Sequence, residues 1–140
     1  MADKFYEILE HTADVRIRVE AKDLKTLFSR SAKAMFDIIA EHKPGSSGKQ
    51  RELTVVQEAT SLEELFINWL NELLSLASAD QMIFSDFRIS RIDESRLEAK
   101  VSGETSADYK MNTEIKAATY HQLQIIKTQR GLKAEVIFDV

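Results

Sequence analysis

Few residues of this 140-residue chain could do chemistry, and they fall in three short stretches. Residues 9–15 read Leu-Glu-His-Thr-Ala-Asp-Val and carry His11 and Asp14. Residues 116–121 read Lys-Ala-Ala-Thr-Tyr-His and carry Lys116 and His121. The given chain closes on Phe138, Asp139 and Val140. Hard cations such as calcium or magnesium take several oxygen ligands from carboxylates, carbonyls and water. Asp14, Asp139 and the α-carboxylate of Val140, if a fold brought them together, would form an oxygen-only anionic cluster. Such a cluster needs a cation, because neighbouring negative charges repel. The 125-residue separation of the two aspartates says nothing for or against it. The plainer alternative is that Asp14 closes a turn and Asp139 is a solvated end residue.

The three histidines are His11, His42 and His121. His42 stands beside a loop and reads as exposed. His11 and His121 lie in polar patches of strand-like sequence. Each could be a general acid or base, or a nitrogen ligand of a metal. Each could equally orient a turn or a carboxylate by hydrogen bonding, which is the preferred reading. Thr119-Tyr120-His121 could be the wet face of a sheet, or could line a concave site to which Lys116 adds positive charge. No serine stands in a nucleophile elbow, and no glycine-rich phosphate loop is present in a chain with only four glycines. The absence of cysteine excludes a disulfide framework, a thiolate nucleophile and a sulfur metal site, and fits a reducing compartment.

The elements that must position these residues follow from periodicity. Residues 5–10 and 15–20 read as strands, the second with Val15, Ile17 and Val19 on one face and Arg16, Arg18 and Glu20 on the other. Asp23 stands where an N-cap belongs, ahead of a helix that runs to about residue 40. Residues 42–48 hold the only proline and two glycines, a clear loop, and residues 51–56 form a strand. Ser61 and Glu64 are spaced as a capping box. The helix they open is apolar well past one stripe, from Leu62 to Leu76, so it meets apolar partners on two sides, as between two sheets. Residues 83–93 and 96–104 read as one hairpin, 106–112 as a loop, and 114–128 with 132–138 as a second hairpin turning at Gln129-Arg130-Gly131. The fold expected is α+β: mostly antiparallel sheets packed around two main helices in sheet/helix/sheet layers, one domain over residues 1–140.

Composition bounds the rest. The chain has 44% hydrophobic and 30% charged residues, with a formal net charge of −4. Proteins that grip nucleic acid draw most of their affinity from basic faces, so strong direct RNA binding is not expected. A basic protein partner or a cation suits the charge better. No segment reaches the roughly 20 apolar residues of a membrane span, and no signal-like start is present; the expectation is a cytoplasmic protein without a membrane partner.

The ordered stretches resemble the archease family over nearly the whole chain. They are His11-Thr12-Ala13-Asp14-Val15, the helix end Ala34-Met35-Phe36-Asp37-Ile38, and the Leu-rich helix around Trp69. After them come the run from Lys116 through His121 to Ile125, the late hairpin and the acidic-aliphatic end. Arg16 departs from the small residue usual after the Asp14 motif. The resemblance implies a non-catalytic protein that acts in tRNA splicing as cofactor of the GTP-dependent tRNA-splicing RNA ligase, promoting its guanylylation and multiple turnover. It implies a divalent metal, calcium by that likeness, held by Asp14, Asp139 and Val140, with His11 and His121 behind those ligands. Two alternatives stand beside it: a chaperone-like modulator of an RNA methyltransferase, and a metal-dependent phosphate-ester hydrolase using the same carboxylates.

Overall fold

The computed structural model describes residues 5–9 and 14–140. The first sheet draws on both ends of the chain: β1 (Tyr6–Leu9), β2 (Asp14–Ala21), β8 (Ala117–Thr128) and β9 (Gly131–Asp139). Its order is β1-β2-β9-β8, every neighbouring pair antiparallel. A second sheet, also antiparallel, orders β4 (Arg51–Glu58), β6 (Arg96–Thr105) and β5 (Met82–Ile92) as β4-β6-β5.

Two helices fill the space between the sheets. Asp23 caps α1 (Leu24–Ile39) by accepting the Thr26 amide at 2.8 Å. Ser61 caps α2 (Leu62–Asp80) by accepting the Glu64 amide at 3.1 Å, while the Glu64 carboxylate takes the amide of Thr60, the residue before the cap. Helix α1 packs on β2, β9 and β5; α2 packs on β8 of one sheet and on β5 and β4 of the other. That explains why Leu65, Phe66, Ile67, Trp69, Leu70 and Leu73 are all buried. The Trp69 indole N–H donates to the Phe28 carbonyl at 3.0 Å and ties the helices together. The layered α+β architecture expected from the sequence is the one observed.

Three details differ from the expectation. His42 ends a short strand, β3 (Ala40–His42), and residues 106–112 hold a 3-10 turn and β7 (Tyr109–Met111), which pairs with β3. Strands of three residues are too short to show alternation. Strand β8 begins at residue 117 and not at 114. Its register also slips between Thr119 and Gln124, because residues 120–123 bulge out of the ladder.

Two glycines are structurally required. Gly131 closes the β8–β9 hairpin at φ +140°, and a Cβ there would meet the Ala21 carbonyl oxygen at 2.4 Å. A Cβ on Gly103 would lie 2.0 Å from the carbonyl oxygen of Ile83, so β5 and β6 close only around a bare backbone.

Candidate metal centre

Asp14 is the first residue of β2 and Asp139 the last of β9, and the ladder sets them directly opposite each other. Side chains opposite one another in an antiparallel pair share a face of the sheet. On β9 the buried residues Ala134, Val136 and Phe138 alternate toward the helices. Asp139 therefore joins Ile137 and Glu135 on the outer face, with Asp14, Arg16 and Arg18 beside them on β2. Asp14 is half-buried; Asp139 and Val140 are exposed.

Strand β8 completes this end of the sheet. Ala117 stands opposite Asp139, and the Lys116 backbone N–H donates to the Asp139 carbonyl at 2.7 Å. One residue further, Ala118 is gripped from the helical layer: the Asn71 side chain accepts its N–H at 2.7 Å and donates to its carbonyl at 3.1 Å. Asn71 thus pairs with the open edge of β8 as a neighbouring strand would. The Thr119 hydroxyl donates to the Ile137 carbonyl at 2.9 Å.

Charge on the outer face is partly compensated. Arg18 joins Glu7 at 3.1 Å and Glu135 at 3.0 Å. The hydrogen bond and charge of Glu135 hold its guanidinium above its ordinary pKa. Arg16 donates to the side-chain oxygen of Gln122. The donor set that Asp14 and Asp139 offer is oxygen only, which fits a hard divalent cation and not a soft one. Among the described residues no group of three or more His, Cys, Asp or Glu is assembled. From the described residues, further ligands would be backbone carbonyls, with water beside them.

The three histidines separate. His11 lies outside the described residues. His121 is exposed in the bulge of β8. His42 is exposed as expected, yet it hydrogen-bonds to Glu104, a carboxylate only 4% exposed, and stands edge-on to the Tyr109 ring at 5.0 Å. Burial and the Glu104 charge push the Tyr109 phenol up. The sequence reading missed Asn71 and Gln122. Asn71 gave no signal, because Asn68 and Glu72 beside it are equally polar; Gln122 gave none either.

The molecule is of the α+β class, its helices held between two main sheets, with Asp14 and Asp139 opposite each other where β2 and β9 meet. The chain matches the archease protein family (MTH1598/TM1083) over residues 6–140 and belongs to that family. It is 36% identical to the archease of Methanosarcina barkeri over 143 residues, covering 98% of this chain and 97% of the relative. The archease of Methanosarcina acetivorans is 37% identical with the same coverage. Among solved structures, Methanobacterium thermoautotrophicum protein 1598 superposes with a TM-score of 0.73 at 25% identity, covering 99% of this chain and 100% of that one. A Thermotoga maritima archease, described as a possible chaperone, superposes with a TM-score of 0.63 at 25% identity, with 94% of each chain covered.

Proposed function

We propose that this protein is a non-catalytic cofactor of the GTP-dependent tRNA-splicing RNA ligase. It promotes guanylylation and multiple turnover of that enzyme through a divalent cation, calcium by family likeness, bound at Asp14 and Asp139. The observation that carries the reading is the register: two aspartates 125 residues apart stand opposite each other at one sheet end of a chain of this family. A divalent cation would bridge two carboxylates so placed and offset their like charge. Val140 follows Asp139 and would add its α-carboxylate. His11 at the Asp14 motif would act behind the ligands by orienting them, whereas His121 is exposed in the β8 bulge.

Guanylyl transfer depends on positioning and charge neutralisation. An acidic protein that presents a cation at an exposed sheet end can hold metal in a partner's site, or reopen one that has stalled. The net charge of −4 favours a protein partner over bare RNA.

The test is a ligation assay with the cognate ligase, scored for guanylylation and turnovers per enzyme. The wild type should raise both and have no turnover alone. Asp14→Ala and Asp139→Ala, folded by circular dichroism, should bind the cation more than about tenfold more weakly, a direct ligand counting for at least as much as an outer one, and lose the stimulation. Full stimulation by both variants would sink the metal-site reading. Phosphate-ester turnover by the protein alone, lost in those variants, would favour the hydrolase alternative. Stimulation of an RNA methyltransferase without any effect on ligation would favour the chaperone-like alternative, the description attached to the Thermotoga relative.

A further inference from the structure

Strand β8 departs from its ladder beside the aspartate pair. Thr119 is opposite Ile137 and Gln124 is opposite Glu135, so residues 120–123 all stand against Val136. Within this bulge Gln122 has φ +52°, a left-handed backbone that a residue with a Cβ adopts only where its surroundings hold it.

The hold comes from two strands away, where the Arg16 guanidinium donates to the Gln122 side-chain oxygen. Strand β9 runs between them in the order β2-β9-β8. With strands about 4.8 Å apart, β2 and β8 are separated by roughly 10 Å. The two side chains therefore meet above β9. Below them lies Ile137, opposite both Arg16 and Thr119. Ile137 is only 3% exposed although it faces away from the helices. The aliphatic stem of an arginine crossing the strand supplies that kind of cover. A charged donor also makes a stronger hydrogen bond than a neutral one.

The bulge leaves Tyr120 55% exposed and His121 exposed. Arg16 lies on the same face as Asp14, two residues along β2. Bulges next to functional sites re-aim side chains, and exposed tyrosines are enriched in protein–protein contacts.

We propose that Arg16 is a positioning residue: through Gln122 it holds the bulge at residues 120–123, so that Tyr120 and His121 form one partner-facing surface with Asp14 and Asp139. The identity of the partner rests on the cofactor function proposed above; the Arg16–Gln122 tie does not.

Hydrogen exchange on the full chain tests the tie. Arg16→Ala and Gln122→Ala should each speed exchange of the amides at 119–124 about fivefold or more, and the double variant no further than either single, because one interaction is lost in all three. Gln122→Glu offers the same guanidinium a carboxylate and should keep wild-type protection. Amides of β5 and β6 serve as the control and should not change. Unchanged exchange in Arg16→Ala, an additive double variant, loss of protection in Gln122→Glu, or equal acceleration in β5 and β6 would each overturn the tie.

The ligation assay tests the surface. Arg16→Ala and Tyr120→Ala should raise the half-saturating concentration of this protein about tenfold, the cost of a lost interface contact. Asp14→Ala should instead lower the plateau. A plateau loss without a shift in half-saturation for Arg16→Ala would overturn the surface. If the wild type stimulates no ligase, the cofactor reading and the ligase-facing surface fail together, while exchange still decides the tie.

Discussion

At the scale of single residues, the metal site proposed at Asp14 and Asp139 sets stability against binding. The two carboxylates stand in one ladder row, and like charges so placed destabilise a sheet. Asp139→Asn keeps the shape and removes one charge. In chelator it should therefore raise stability by roughly 0.5 kcal/mol, about 2 °C in midpoint for a domain of this size. With calcium added the order should reverse, since the wild type would hold the proposed cation more tightly than the variant. Thermal melts of both proteins, with chelator and with calcium, read this directly. A variant that is less stable under both conditions would show that Asp139 has a structural role in place of a ligand role. The sequence displayed both aspartates and could not join them, because nothing in residues 14 and 139 encodes which strands become neighbours. Gln122 was wholly silent, since its importance is a backbone angle and a bond to a residue 106 positions away.

At the scale of elements, what was legible was whatever is local. The Asp23 cap, the Ser61 cap and the two helices show in side-chain chemistry and periodicity within a few residues. The β8 bulge and the three-residue strands β3 and β7 do not, because they exist only by pairing with distant partners. The α1 cap makes a specific prediction. Hydrogen bonds from the Thr26 hydroxyl and amide hold the Asp23 carboxyl below its ordinary pKa. A carboxylate depressed on folding contributes stability above its unfolded value and loses it as pH falls through the folded one. Asp23→Ala should cost about 1 kcal/mol at neutral pH. Its difference from wild type should shrink below about pH 4, where the unfolded carboxyl begins to take up its proton. Asp23→Asn, which also caps, should cost less. Urea unfolding of the three proteins at pH 7 and pH 3 decides it; a pH-independent gap between wild type and Asp23→Ala would mean that the carboxylate charge plays no part.

At the scale of the whole molecule, the site belongs to the entire chain. Strand β2 comes from the beginning and β9 from the end, and the helices between them pack against both sheets. Unfolding separates Asp14 from Asp139, so the cation proposed above would bind the native state and not the unfolded chain. Binding of that kind adds RT ln(1 + [L]/Kd) to stability, about 2.7 kcal/mol at a hundred times Kd. For a domain of this length that is roughly 8 °C in the melting midpoint. The rise should follow the calcium concentration with the Kd measured independently by calorimetry. It should be the same by far-ultraviolet circular dichroism, which reports the strands and helices, and by fluorescence of Trp69, the only tryptophan, which is buried where α2 meets α1. Coincident curves are expected because the helical layer is tied to the aspartate sheet: Asn71 of α2 holds β8 at Ala118, one residue from the partner of Asp139. A calcium-dependent midpoint seen by one probe and absent from the other would mean that the site sheet melts on its own. The cation would then stabilise a local structure, and the link from α2 through β8 to Asp139 would carry no cooperativity.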